Sequence, residues 1–435
     1  MNGIARLILV VVVVSAALVA AWKLAAAPDA CLAAPTRACV VDEAVRTAAA
    51  IGGAAPRAGA LAELASAQGK AGLAVESAAS IAAALATAQS VDDSVARAFA
   101  LVGVARAQAE FGDFVAALRT AESVAAGMPR ALALNATAEA EAKAGRAKEA
   151  ADAFAAAVAT ASSEKAGGTR VRALTQIAEA QARSGPARET GPTLAAALRE
   201  AQAIESEAER ADLMAAIASV LADIGDLEGA RNIAPSLADE GARGDVLNSV
   251  ATTLAKSGKI EEAGGVAQSI GAAGARAWAF IAVANAQVEA GSVKDAAATF
   301  DRARQAALAS AAAGERAESL AHVAVFQARA GMKEAADANF SAALAQAQSI
   351  KDDAARKGAL VMLGIDLALA GRTSEALALA PSAPEAFGRA ELFEAVVAAR
   401  TKAADYAGAL QTARQLSDGA RRVRALARMA SEMPR

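Results

Sequence analysis

Residues 316–340 read RAESLAHVAVFQARAGMKEAADANF, and this stretch holds the fold in miniature. Arg316 is followed by Leu320, Val323 and Ala324, apolar positions four, seven and eight residues on, which a helix of about 3.6 residues per turn stacks on one face. Gly331 stands fifteen residues after the arginine, where its freedom to take a positive φ ends the helix. Beyond it Ala336 and Phe340 resume the four-residue spacing in a second helix. The stretch predicts two helices joined by a tight turn, and no strand pattern appears in it or elsewhere in the chain.

The same phrase recurs along nearly the whole sequence. An arginine holds the offset of Arg316 at Arg57, Arg97, Arg130, Arg170, Arg210, Arg243, Arg276, Arg356, Arg389 and Arg422. The turn position is Gly72, Gly112, Gly145, Gly185, Gly225, Gly258, Gly291, Gly331 and Gly371, with Cys39 and Ala404 in the two outlying places. Such a repeat predicts an all-α solenoid in which each unit packs on its neighbours. The first helix keeps a small residue one turn after its large apolar one, at Ala65, Ala105, Ala138, Ala178, Ala218, Ala251, Ala284, Ala324, Gly364 and Ala430, with Val397 the larger exception. Small residues there let a second helix approach closely.

From Cys39 the turns are 33, 40, 33, 40, 40, 33, 33, 40, 40 and 33 residues apart, so two unit lengths are mixed. Seven residues are close to two helical turns, and adding them leaves the buried face almost unrotated. Nine residues after the turn the long units carry Ile81, Phe154, Leu194, Phe300 and Phe340, and the short ones Ala48, Ala121, Ala234, Ala267, Ala380 and Ala413. A long second helix needs a bulky filler and a short one packs tightly. Matches at 146 residues, such as Phe154 with Phe300 and Arg170 with Arg316, point to a duplicated four-unit block.

Small residue, glycine seven later, alanine five later and an aromatic four later, as in Ala138, Gly145, Ala150 and Phe154, resembles the tetratricopeptide repeat. The resemblance covers nearly all of residues 39–435, with Leu, Gln or Ala at most of the family's aromatic positions in the first helix and without its closing proline. It implies a right-handed superhelix of about ten helix-turn-helix units, and a role in gripping other proteins.

Met1 to Trp22 differs in kind: Arg6 precedes sixteen uncharged, largely apolar residues, Leu7 to Trp22, and Lys23 closes the run. Residues 1–24 are therefore expected to be a signal anchor or a signal peptide, 25–38 a short cysteine-containing linker and 39–435 the solenoid. Cys31 and Cys39, the only cysteines, lie eight apart around Pro35 and are expected to form a local disulfide in an oxidising space such as the bacterial periplasm, the alternative being two unpaired thiols. At the other end Arg422, Leu426, Met429 and Ala430 form a lone first helix, with Arg421, Arg424 and Arg428 available to face water as a terminal cap.

The arginine ladder has two readings. It is a stripe for phosphate, carboxylate or acidic peptide, or it stitches neighbouring units together. The second is favoured by acids four residues earlier in the pairs Asp93/Arg97, Asp239/Arg243, Asp352/Arg356, Glu385/Arg389 and Asp418/Arg422. A second polar series stands four residues before the turn, at Gln68, Gln108, Glu141, Gln181, Gln287 and Gln327. Its side chains either bond across to the second helix or line a groove.

Nothing resembles a catalytic set. His322 is the only histidine and lies on a repeat helix, carboxylates cluster at helix starts where capping explains them, and two thiols without a nearby histidine make no zinc site. A net charge of −3 gives no basic excess for nucleic acid. The expectation is a non-catalytic scaffold or adaptor of the bacterial cell envelope, needing no cofactor, partnered by another envelope protein and held to the membrane by its N-terminal segment. The alternative is an accessory domain that binds peptidoglycan or peptide for a cell-wall enzyme.

Overall fold

The computed structural model describes residues 29–125, 127–184, 187–384 and 388–434. The N-terminal apolar segment lies outside the described residues, and within them no helix is long and apolar enough to cross a membrane. The described residues are helical throughout, without strands. After a single turn, α1 (Ala30–Ala33), comes α2 (Arg37–Ala49). Ten helix pairs follow: α3 (Ala54–Lys70) with α4 (Ala74–Gln89), α5 (Ser94–Phe111) with α6 (Phe114–Ser123), α7 (Met128–Lys143) with α8 (Ala147–Ser162), α9 (Gly168–Ser184) with α10 (Ala187–Gln202), and α11 (Glu207–Asp223) with α12 (Leu227–Ile233). The remaining five are α13 (Glu240–Lys256) with α14 (Ile260–Ser269), α15 (Ala273–Glu289) with α16 (Val293–Leu308), α17 (Ala313–Arg329) with α18 (Lys333–Gln348), α19 (Asp353–Leu369) with α20 (Thr373–Leu379), and α21 (Gly388–Lys402) with α22 (Tyr406–Ala413). A last helix, α23 (Gly419–Glu432), stands alone in sequence.

The turn glycines do what their lack of a side chain allows. Gly72, Gly112, Gly145, Gly225, Gly258, Gly291, Gly331 and Gly371 all have φ between 77° and 94°, and Ala404 takes φ 60° in the same role. The small residue of each first helix is sealed in, with Ala65, Ala105, Ala138, Ala178, Ala218, Ala251, Ala284 and Ala324 all fully buried. The two unit lengths are equally visible. Second helices of long units run to sixteen residues, as in α8 and α16, whereas the short ones that follow a turn have ten or fewer, some ending in a 3-10 turn such as Ala234–Ser236. Phe154, Leu194, Phe300 and Phe340 fill the long pairs and are almost wholly buried.

The packing pattern closes on itself. Among the described residues every first helix packs on its own second helix, on the preceding second helix and on the first helices either side, while neighbouring second helices meet through single long side chains, as Arg231 does with Glu262 at 3.2 Å. Curvature therefore puts the first helices on the inner wall and spreads the second helices outside. The series does not stop at α23, which packs on α2 as a first helix does on its own partner and on α3 as a first helix does on the next. Its Val423, Leu426 and Met429 are fully buried. The two lone helices at opposite ends of the described chain make an eleventh unit, and the α-solenoid is a closed ring rather than an open superhelix.

This corrects two expectations about the ends. Arg421 and Arg424 do not cap an open end. Arg421 donates to Glu391 at 2.7 Å, and Arg424 makes a two-pronged pair with Glu63 at 2.9 and 3.0 Å, across 361 residues of sequence. Arg424 keeps about half of its side chain in water, and Arg428, paired with Glu432 one turn on, is more exposed still. Cys39 likewise makes no turn but sits inside α2, because the first helix of its unit arrives from the other end and no chain reversal is needed. Closeness at this seam is severe enough that a Cβ on Gly419 would stand 3.0 Å from Ile51.

Candidate functional site on the inner wall

All but one of the ladder's arginines reach backwards along the chain. Ten of the eleven donate to the carbonyl of the residue six before them, the last carbonyl of the preceding unit, as in Arg97 to Val91 at 2.9 Å, Arg210 to Ile204 at 2.7 Å, Arg243 to Leu237 at 2.7 Å, Arg276 to Ile270 at 3.0 Å and Arg356 to Ile350 at 3.1 Å. Arg57, Arg130, Arg316, Arg389 and Arg422 make the same bond to Ile51, Val124, Ser310, Ala383 and Leu416. The carbonyls at a helix end lack intrahelical partners, and a guanidinium satisfies them while joining two units. Arg170 instead pairs with Glu200 of its own second helix at 3.1 Å. The acids four residues earlier bind no ladder arginine: Asp93, Asp239, Asp352 and Asp418 each accept the backbone N–H three residues on, as N-caps. Glu385 lies outside the described residues.

The polar series is internal too. Gln68, Gln108, Gln181 and Gln327 are buried between the helices of their own units, and Gln287 is half-buried, so they do not form the rim of a groove. Gln327 shows the reason: its side-chain oxygen accepts from Asn339 Nδ2 at 2.7 Å, and both are almost completely enclosed. Twelve residues separate the two. In sequence the same spacing puts Ser80 twelve residues after Gln68, Thr120 after Gln108, Thr193 after Gln181 and Thr299 after Gln287, with Ala153 after Glu141 the exception. The side-chain oxygens of Gln68, Gln108, Gln181 and Gln287 have no hydrogen-bond partner among the described residues, so the bond of Gln327 is not repeated there. The polar residue twelve on was present in the sequence, and so was the residue six before each arginine, most often Ile, Val or Leu.

With both series spent inside the wall, the surface left for a ligand is the lumen-facing side of the first helices. A groove of about 820 Å³ runs across α3, α5, α7 and α9. Lys70, Arg106, Lys143 and Arg183 bring positive charge to it, and Glu110, Glu139 and Glu179 negative. Most of these neutralise each other: Lys70 lies 3.5 Å from Glu110, Lys143 2.8 Å from Glu139, and Arg183 pairs with Glu179 and more loosely with Glu139 at 3.9 Å. Arg106 has no ion-pair partner among the described residues. Beside it stands Phe111, 39% exposed, with Leu132 and Asn135 on the facing helix.

Beneath the groove Glu141 is almost fully buried, and burial holds its carboxyl above the usual range against the pull of Arg146 at 3.7 Å. It occupies the glutamine position of its unit. Among the described residues no group of three or more His, Cys, Asp and Glu side chains could hold a metal. Cys31 and Cys39 are joined as a disulfide, with Cα atoms 5.8 Å apart, which ties α1 to α2.

No family model matches the chain, and neither does any curated protein. Among solved structures it is similar to Ton1535 from Thermococcus onnurineus NA1, at 16% identity and TM-score 0.36, covering 76% of this chain and 98% of that one. A circular tandem repeat protein with a novel repeat topology is also similar, at 14% identity and TM-score 0.19, over 91% of this chain and 94% of that one.

Proposed function

We propose that this protein is a non-catalytic scaffold of the cell envelope, built from degenerate tetratricopeptide-type units, which holds a segment of a partner protein along the groove of α3, α5, α7 and α9. The observation that carries the reading is the groove's make-up: four successive first helices present paired charges, one uncompensated cation at Arg106 and an exposed aromatic at Phe111, with no nucleophile and base in reach of each other. Such a surface offers backbone and side-chain contacts to an extended acidic segment and offers nothing that would transform it. The disulfide supports an oxidising compartment, since bonds of this kind persist outside the reducing cytosol. Attachment to the membrane through residues 1–24 is part of the same proposal.

Crosslinking in intact cells followed by mass spectrometry tests it, comparing the wild type with Arg106→Glu. The expected result is a recurrent envelope partner lost with the charge reversal while the circular-dichroism spectrum and melting temperature stay unchanged. Recovery of no partner, or of the same partner from the variant, overturns the assignment.

A further inference from the structure

The groove occupies the first four first helices of the ring, and the wall opposite it carries the chain's one histidine. His322 on α17 lies between Trp278 on α15 and Asp366 on α19, so three successive units each give one side chain. The indole and imidazole centroids are 3.8 Å apart, tilted by 53°. Nδ1 lies 2.9 Å from the Glu318 carbonyl, which can only accept, so Nδ1 carries the hydrogen and donates it. That tautomer turns the bare lone pair of Nε2 toward Asp366 Oδ1, 3.5 Å away. Asp366 is 2% exposed, and its other oxygen has no hydrogen-bond partner.

An ionised carboxylate so placed would be a buried charge with half its acceptors empty, which is strongly disfavoured. Burial accordingly raises its pKa from 3.8 to about 7, with Glu318 adding to the rise and Arg329 opposing it. Both of those charges come from α17. The other helices packed on α19, namely α18, α20 and α21, bring no charge that shifts it. Burial pushes His322 the other way, below its ordinary 6.5, and the bond to the Glu318 carbonyl only partly offsets this; α15, α16, α18 and α19 add no charge that shifts it.

We infer that Trp278, His322 and Asp366 form a proton-exchange joint in the ring wall: the proton that a solvated histidine would carry passes on folding to Asp366, which offers it to His322 Nε2. The two linkages then oppose each other. Asp366, raised by folding, contributes stability that is complete below about pH 4 and lost as pH climbs through about 7. His322, lowered by folding, contributes stability that is present above 6.5 and lost as pH falls through its depressed value. Between those limits folded and unfolded chains hold the same number of protons at this pair. The α17/α19 joint therefore stays closed across the mildly acidic range in which either group alone would titrate it open.

Separating the pair tests this. Melting temperatures of wild type, His322→Gln and Asp366→Asn are measured from pH 5 to 8, and each variant is read as its difference from wild type so that all other groups cancel. The expected differences have opposite slopes: that of His322→Gln falls as pH rises, and that of Asp366→Asn rises. Two pH-independent differences, or slopes of the same sign, overturn the joint. Should either variant fail to fold, the single imidazole signal of the wild-type protein decides by NMR. A histidine that stays neutral well below pH 6 supports the inference, and an ordinary titration near 6.5 overturns it.

Discussion

The seam of the ring and an ordinary joint between units solve the same packing problem with different means. At a joint such as that between α15 and α17 the chain itself runs from one unit to the next, and the arginine at the start of α17 ties down the carbonyls just behind it, Arg316 bonding Ser310 and Ala311 at 2.8 and 2.7 Å. At the seam there is no covalent link from α23 to α2. Charge takes its place. Arg414 grips Glu43 with two prongs at 2.8 and 2.6 Å and also pairs with Asp29 at the start of α1. Arg424 reaches Glu63, and Arg37 donates to the carbonyls of both Ala71 and Met433. The disulfide holds α1, and so Asp29, where Arg414 can use it. The seam has its charge pairs without a connecting chain, whereas ordinary joints have the chain and some have pairs as well, such as Arg231 with Glu262 at 3.2 Å and Arg372 with Asp337 at 2.7 Å.

The largest effect should come from removing the seam. Deleting residues 417–435 strips α2 of the helix that covers it and uncovers Val40, Ala44 and Leu64, all fully buried, together with the buried faces α23 itself supplies. Burying a side chain of valine or leucine size contributes about 1.5 to 3 kcal/mol each. The truncated chain is expected to melt well below the full-length protein and to show a larger radius of gyration in solution scattering, as an opened solenoid. A radius no larger than that of the intact protein would mean that the ring is not closed by α23.

Next in size is a matched pair of substitutions. Arg316→Gln leaves three acceptors short, the carbonyls of Ser310 and Ala311 and the side chain of Gln346, while Arg414→Ala leaves Glu43 without its partner. Hydrogen bonds involving a charged group are each worth about 1.5 to 3 kcal/mol, so both variants should lose stability of that order in dilute buffer. Salt separates them. An ion pair near the surface is screened when the Debye length falls to about 3 Å in 1 M salt, whereas an arginine bonded to carbonyls keeps most of its worth. Chemical unfolding in urea at low and high sodium chloride is expected to shrink the Arg414→Ala deficit and to leave that of Arg316→Gln nearly unchanged. Equal salt dependence would make the seam one more joint.

How much of this was legible in the sequence follows the same division. Everything set by local periodicity could be read: the helix pairs, the glycine turns, the fully buried alanines, and the two unit lengths with their bulky or small fillers. Closure could not, although both halves were in view. Arg422 keeps the ladder's register with no turn after it, and Cys39 holds a turn register with no first helix before it. Read along the chain these are two ends; placed side by side they are one unit. Periodicity gives the rotation within a unit but not the small angle between units, and that angle, multiplied eleven times, decides between ring and open superhelix. The candidate site was legible in part. Arginine and glutamine in phase admitted an internal role beside a surface stripe, with stitching favoured for the arginines, and ten arginines do bond a carbonyl six residues back while the glutamines are buried or half-buried. The groove is left to side chains such as Arg106 and Phe111, which do not repeat and which periodicity could not mark.

The smallest effect is the sharpest test of what the seam is. If α23 and α2 are one unit cut in two, the cut should be movable. A circular permutant that joins residue 434 to residue 36 through a short glycine-containing turn, with new ends between Gly258 and Lys259, removes α1 with its disulfide and otherwise changes connectivity alone. The old seam gains a covalent turn and keeps the pairs of Arg414 with Glu43 and Arg424 with Glu63 though not that of Arg414 with Asp29, while the new one loses its turn and has its packed helices and the pair of Arg231 with Glu262 at 3.2 Å to hold it. Closing a connection of a few residues is worth on the order of 1 kcal/mol and grows slowly with length, so gain and loss nearly cancel. The permutant is expected to melt within a few degrees of the parent, and adding Arg414→Ala to it should cost less than in the parent, because the clasp then guards a joint that the chain already holds. A permutant that fails to close, or one in which Arg414 matters just as much, would show that the charges at the seam shape the α2/α23 unit itself and do not stand in for a missing connection.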